Sequence, residues 1–229
     1  MNMIDRVFGN LDKWRHFPGY QLERRADIYF SLYLLEVMEK YFGEPMLPVV
    51  VPEFPAYKPL LIGRMDERQR KLVLGQKSDD PTAEAYHRSY RIDYLVLSRD
   101  MSKGYLVEIK TDQNSWGQAQ RACLDAAAHI DLRSLLEALR LIVPAAGKKD
   151  GRPKYRHLLL EFRALGLVNF RDSLSSALEA SDRKSVRAEF QHFSVSTSDP
   201  EMTVVYIAPQ PTNAQRKEGP CIDFELALH

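Results

Sequence analysis

The sequence is poor in several features that define whole classes of protein. It has only two cysteines, Cys123 and Cys221, too few for a disulfide framework or a cysteine-based metal site. No apolar run approaches the ~20 residues that span a membrane, and the first residues are charged early and lack the apolar core of a signal peptide. These absences lead us to expect a reducing, cytoplasmic setting and no membrane partner.

A strong net charge is also missing. Lysine and arginine number 32 against 31 aspartates and glutamates, which gives a formal charge of +1. A chain with this balance is not a generally basic nucleic-acid binder, so any contact with nucleic acid has to come from a local patch. With 229 residues and 45% hydrophobic residues, the chain can form one large domain, with or without an insertion.

What the chain does have is a pair of short apolar segments that carry ionisable residues. Residues 91–98 read Arg-Ile-Asp-Tyr-Leu-Val-Leu-Ser, and residues 104–110 read Gly-Tyr-Leu-Val-Glu-Ile-Lys. Side chains alternate along a strand, so Glu108 and Lys110 project to the same face. Strands this apolar are expected in a covered sheet, where Asp93, Glu108 and Lys110 cost free energy unless charged groups accompany them. Two carboxylates and one ammonium suit a divalent metal.

At these three residues the chain resembles the PD-(D/E)XK nuclease superfamily, whose fold is that of the restriction endonucleases. The shared pattern is an acid at a strand start, a short hairpin, then an acid, one apolar residue and a lysine; Ile92 stands where the pattern has proline. The resemblance covers residues 20–130 and extends to the strand near 202–208. It implies an α/β fold with a mixed central sheet of four to five strands flanked by helices. We expect one domain over 1–229, with a helical insertion at 144–195.

The function that this resemblance implies is hydrolysis of phosphodiester bonds in nucleic acid, with DNA as the expected substrate. The cofactor would be Mg²⁺, with Mn²⁺ as a substitute, held by Asp93, Glu108 and the carbonyl of Ile109. Lys110 would position a water and stabilise developing negative charge. The alternative is a catalytically inactive, nuclease-like module that binds nucleic acid or assembles with a partner. Besides nucleic acid, the partner to consider is a second copy of the chain in a homodimer. A third reading is a structural protein in which Glu108 and Lys110 form a salt pair of little energetic value.

The resemblance also implies a further acid on the first helix. Glu23 and Asp27 are four residues apart and share one helical face. Glu36 lies about 180° from Asp27, on a solvated face, at 100° per residue. We therefore favour Glu23, then Asp27; the alternative is that both simply face the helix dipole.

A glutamine on the helix after Lys110 is the last implied site residue. Ser115 and Gln118 have the spacing of a capping box, which would explain Gln118 as a helix-start residue. Gln120 has no such explanation and is the preferred candidate. Lys148, Lys149, Arg152 and Lys154 are a possible contact for the phosphate backbone.

Patterning predicts the main elements. We expect helices at 20–42, 114–143 and 153–167, and strands at 47–54, 202–208 and 222–228, besides the two hairpin strands. Residues 63–87 are expected to form a loop or a short helical excursion, residues 144–152 a mobile linker, and residues 169–193 a mixed, partly helical region.

Overall fold

The computed structural model of the chain describes residues 25–75, 89–110, 117–146, 151–208, 211 and 219–223, with backbone only for residues 25–30. The strands are β1 (Val51–Tyr57), β2 (Ser89–Leu97), β3 (Lys103–Ile109), β4 (Val168–Asn169), β5 (Ser194–Val195), β6 (Glu201–Ala208) and β7 (Cys221–Asp223). The helices are α1 (Arg25–Phe42), α2 (Lys58–Arg64), α3 (Glu67–Leu74), α4 (Gln118–Ala128), α5 (Leu132–Glu137), α6 (Leu139–Ala145), α7 (Gly151–Ala164), α8 (Asp172–Glu179) and α9 (Arg183–Glu189). A 3₁₀ turn, Phe190–His192, follows α9.

Five strands form a mixed sheet in the order β1-β2-β3-β6-β7. The first three are antiparallel neighbours, and β6 runs parallel to both β3 and β7. The middle of the sheet is dry: Leu106, Val107 and Val205 have no exposed surface. This confirms the expected α/β class, with a mixed sheet of five strands and flanking helices.

The chain forms two compact units. One comprises residues 33–131 and 200–229 and contains the five-stranded sheet; the other comprises residues 1–32 and 132–199. In the described part of the second unit, helices α5 to α9 accompany the two-stranded sheet β4-β5, with Leu158 and Phe162 fully buried. The expected single domain with an insertion at 144–195 stays a prediction.

The hairpin and the end of the first helix follow the sequence closely. Helix α1 ends at Phe42, where Gly43 takes a positive φ of 68° that favours glycine. Strand β1 begins four residues later than expected and keeps Pro52 and Pro55 inside it. A proline removes a backbone donor, and β1 tolerates two because it is an edge strand of the sheet.

The expectation of one long helix over residues 114–143 was wrong. Helix α4 ends at Ala128, and two shorter helices, α5 and α6, follow. His129 leaves helical geometry with φ −90° and ψ 10°, and its ring Nδ1 lies 2.7 Å from the carbonyl oxygen of Asp125. The amide of Ile130 donates to the carbonyl of Ala127 at 3.1 Å, which is the tighter spacing of a terminating turn.

The expected linker at 144–152 is also corrected at both ends. Pro144 is the sixth residue of α6, and Arg152 lies in the first turn of α7. Residues 147–150 lie outside the described part of the chain. Where the structure describes helices, none combines the length and the apolar character needed to cross a membrane.

Candidate functional site

The hairpin brings the two predicted acids together. In the register of β2 and β3, Tyr94 lies opposite Val107. The paired residues end there, but Asp93 and Glu108 are the next residue on each strand, and the charge of Asp93 acts on Glu108. Asp93 Oδ2 accepts a hydrogen bond of 2.9 Å from the amide of Ile109, so a carboxylate takes the place of a strand carbonyl. The end of the hairpin is thereby opened around Asp93.

Glu108, Lys110 and Gln120 form a closed set of hydrogen bonds. Lys110 Nζ donates to Glu108 Oε1 at 3.1 Å and also to Gln120 Oε1. Gln120 Nε2 in turn donates to Glu108 Oε1. Glu108 and Lys110 are only 2% and 4% exposed, so this charged pair sits in the protein interior.

Helix α4 delivers Gln120 because small residues let it pack closely. The buried residues of α4 include Ala122, Cys123, Ala126 and Ala127. Gln120 lies in the first turn of α4, where its side chain reaches Glu108 and Lys110. Burial raises the pKa of the Cys123 thiol to about 11, which marks Cys123 as packing rather than chemistry.

The electrostatics of Glu108 are unusual for a glutamate. Burial, and after it the charge of Asp93, raise its pKa, Lys110 lowers it, and the net result is a pKa of about 7. Glu108 Oε2 is buried and has no hydrogen-bond partner among the described residues. Leaving a buried acceptor unpaired costs roughly 1–3 kcal/mol. Carboxyl groups tuned towards neutrality in this way concentrate at functional sites.

The donor set fits a hard divalent cation. Glu108 offers an unpaired carboxylate oxygen, and Asp93 supplies a second carboxylate beside it. Mg²⁺ is commonly bound through one or two protein carboxylates, with water and substrate phosphate completing its shell. Among the described residues no group of three or more histidines, cysteines or acids is arranged around a metal. The candidate metal centre therefore consists of two carboxylates, with the carbonyl of Ile109 as the further predicted ligand.

The predicted acids of the first helix are not brought to the site by any described contact. Glu23 lies outside the described residues, and the side chain of Asp27, in α1, does too. Glu36 is exposed, as the helical phase predicts. The role of Glu23 or Asp27 stays a prediction.

Two other sequence interpretations were wrong. Helix α4 begins at Gln118 with Gly117 as its N-cap and no side-chain cap, so the capping box of Ser115 and Gln118 does not start this helix. Gln118 is exposed. Arg152 is not available to a phosphate backbone: it is 2% exposed and donates to the carbonyl of Ala146 at 2.9 Å and to Ser181 Oγ at 3.3 Å.

Tyr90 is a site neighbour that the sequence did not reveal. Its hydroxyl is buried. Burial raises the pKa of Tyr90 far above its usual value, the nearby charge of Glu108 adds to this, and the side chain of Gln120 lies close enough to lower that pKa in part. An aromatic residue at a strand start is ordinarily a packing residue, so no signal distinguished it.

Comparison with known proteins yields no relative: no family model, no curated protein and no solved structure matches the chain. The function has to be inferred from the site and its chemistry.

Proposed function

We propose that the chain is a metal-dependent phosphodiesterase that hydrolyses nucleic acid, with DNA as its substrate. The observation that carries this is the buried Glu108–Lys110 pair beside Asp93, with one oxygen of Glu108 left unpaired. As a purely structural device the pair is poor, because replacing a buried ion pair with apolar residues is often neutral or stabilising. A catalytic role explains the pair better, because an ammonium and two carboxylates together suit a site that binds a phosphate and a metal ion.

The order of elements supports the same proposal. Helix α1, strands β1, β2 and β3, helix α4 and strand β6 follow one another along the chain, and β6 joins the sheet beside β3. That is the order implied by the resemblance to the PD-(D/E)XK superfamily. The acids lie on β2 and β3, and the helix that follows β3 holds Gln120.

Each side chain then has a role. Asp93 and Glu108 would hold a divalent ion, and the chemistry that such an ion supplies is polarisation of a phosphoryl oxygen and activation of water. Lys110 Nζ directs its positive charge at the phosphoryl oxygens as negative charge develops on them. Gln120 bonds both Lys110 and Glu108 and so fixes their separation.

Cleavage of a nucleic-acid panel tests this function. We expect the purified chain to cut at least one labelled substrate among duplex DNA, single-stranded DNA, a flap and RNA when Mn²⁺ or Mg²⁺ is present, and none in EDTA. A wild-type protein that cuts nothing with either metal contradicts the proposal. Binding without cleavage would favour the inactive module. Such a module would bind through a local patch, because the formal charge of +1 gives no strong general attraction to nucleic acid.

Gln120→Leu tests the positioning role on α4. The substitution keeps the volume but removes both bonds of the amide, so Lys110 loses its fixed direction. We expect the cleavage rate to fall about tenfold or more, since small displacements of reacting groups are costly, and the free energy of unfolding to fall by about 1–2 kcal/mol. Gln118→Leu is the matched control on the same helix, at an exposed position, and leaves the rate unchanged. Equal rates for the two variants would remove Gln120 from the site.

A further inference from the structure

Helices α2 and α3 carry a concentration of positive charge that the chain as a whole lacks. Residues 58–75 contain five basic residues against two acidic ones, whereas the full chain has 32 against 31. The five basic residues are Lys58, Arg64, Arg68, Arg70 and Lys71. We refer to the surface that they form on α2 and α3 as the basic helix pair. All of them except the half-buried Lys58 are solvent-exposed.

Most of this charge is not neutralised by neighbouring acids. Lys71 pairs with Glu67 at 2.7 Å, but both side chains are highly exposed, at 72% and 83%, so the pair is weak and easily exchanged. Lys58, Arg64 and Arg68 have no carboxylate partner among the described residues. Three cations are therefore available to an anionic ligand.

Helix α3 is not explained by packing into the core. None of its eight residues is buried, and Leu72 is 40% exposed. A capping box starts it: Asp66 accepts from the amide of Gln69 at 2.8 Å, and Gln69 accepts from the amide of Asp66 at 3.0 Å. Short helices with a polar surface are marginal on their own, so α3 depends on its capping box and on its packing against α4, and its outer face is left to solvent.

The helices that carry the basic helix pair pack against a helix of the candidate site within the same compact unit. Both α2 and α3 pack against α4, the helix that holds Gln120. Arg70 Nε donates to the carbonyl of Ile62 at 3.1 Å, which ties α3 to α2. Lys58 is near enough to α4 for its charge to oppose the effect of burial on the Cys123 thiol, one turn after Gln120.

We propose that the basic helix pair binds the phosphate backbone of DNA and holds the substrate beside Asp93, Glu108 and Lys110. This rests on the proposed function for its ligand, but the surface is a separate one. Contacts between exposed cations and phosphates position the duplex without reading its sequence. Binding through this surface is therefore independent of sequence and strongly dependent on salt.

Equilibrium binding of a labelled duplex in EDTA tests the surface without cleavage. The variant is Arg64→Ala/Arg68→Ala, two exposed residues outside the catalytic set. Each lost phosphate contact reduces the slope of log K against log salt by about 0.9, so we expect a reduction of about 2 and an affinity roughly 10- to 100-fold lower at 0.1 M salt. The matched control is Lys184→Ala/Arg187→Ala on α9, which removes the same charge from exposed positions elsewhere and leaves affinity and slope unchanged.

The outcomes separate this proposal from the nuclease proposal. Unchanged binding in the Arg64/Arg68 variant overturns the basic helix pair, whether or not the wild-type protein cleaves DNA. An equal loss of affinity in both variants also overturns it, because charge alone and not location would then matter. Weakened binding in the first variant only, in a chain that cleaves nothing, supports the surface and refutes catalysis. Melting temperatures of all three proteins are expected to agree, since exposed side chains contribute little to stability.

Discussion

Replacement of Lys110 by methionine is expected to lower the cleavage rate by ~10²–10³, the usual cost of removing one preorganised charge from a transition state. Methionine keeps most of the volume of the lysine stem and removes its charge together with its hydrogen bonds to Glu108 and Gln120. The two carboxylates proposed to hold the ion remain, so stabilisation of the folded protein by Mn²⁺ is expected to persist. The measurements are the rate on the substrate found in the panel and the melting temperature with and without Mn²⁺.

The fold should survive this substitution, although Lys110 is a buried partner of Glu108. The raised pKa of Glu108, about 7, allows that carboxyl to take up a proton when its cation is lost. Gln120 Nε2 continues to donate to Glu108 Oε1. Lys103→Met is the matched control on the same strand: Lys103 pairs with Glu44 at 2.7 Å, in a half-exposed position at the other end of β3. Unchanged cleavage in Lys110→Met would sink the mechanism, as would equal losses in the two variants.

The hairpin and the proximity of Asp93 and Glu108 were predictable because local physics determines them, whereas Gln120 was selected through the resemblance. Alternation along β2 and β3 specifies which side chains lie together, and the short turn between the strands specifies the register that brings Asp93 near Glu108. Gln120 was selected over Gln118 by elimination, and the structure brings Gln120 into contact with both Glu108 and Lys110. The capping argument behind that elimination was wrong, because α4 starts at Gln118 and not before it.

Features that depend on distant contacts were not predictable. The alanine- and leucine-rich run after residue 114 has high helix propensity throughout, and only the turn at His129 and Ile130 shows where α4 stops. Arg152 follows two lysines in a run that reads as a basic surface, but its hydrogen bonds to Ala146 and Ser181 hold it inside. Burial of a charged side chain is decided by its partners, which the sequence does not place.

The basic surface was missed for a related reason. The sequence predicts a loop or a short helical excursion for residues 63–87, and no role was assigned to their charges. The end of α2 and all of α3 lie in the described part of that region, and both helices pack against α4, the helix that carries Gln120. The sequence shows that these residues are charged, but only the fold shows which other residues they lie near.

Glu108→Gln is expected to change the pH dependence of stability in the metal-free protein. The ordinary pKa of glutamate is 4.5, and burial, followed by the charge of Asp93, raises that of Glu108 to about 7. Between these values the folded state keeps a proton that the unfolded state has lost, so the free energy of unfolding falls as pH rises through this window. A difference of this size corresponds to on the order of 3 kcal/mol. Glutamine mimics the protonated acid and does not ionise, so the variant and the wild type should be similar near pH 4.5, with the variant more stable at pH 8.

Metal should reverse that order. Mn²⁺ binds the folded wild type through its carboxylates and raises its free energy of unfolding, by about 2.7 kcal/mol at a hundred times Kd. The variant lacks one of the two charged ligands and is expected to gain little. Glu44→Gln makes the same chemical change where hydrogen bonds from Lys103 and Tyr105 lower the pKa of the glutamate. That control should therefore be less stable than the wild type at pH 8 and should respond normally to Mn²⁺. An Mn²⁺ effect equal in Glu108→Gln and wild type would contradict the metal centre. A wild type without the fall in stability between pH 4.5 and 7 would show that Glu108 is an ordinary paired carboxylate, because a carboxylate whose charge is fully compensated has nothing to gain from a proton.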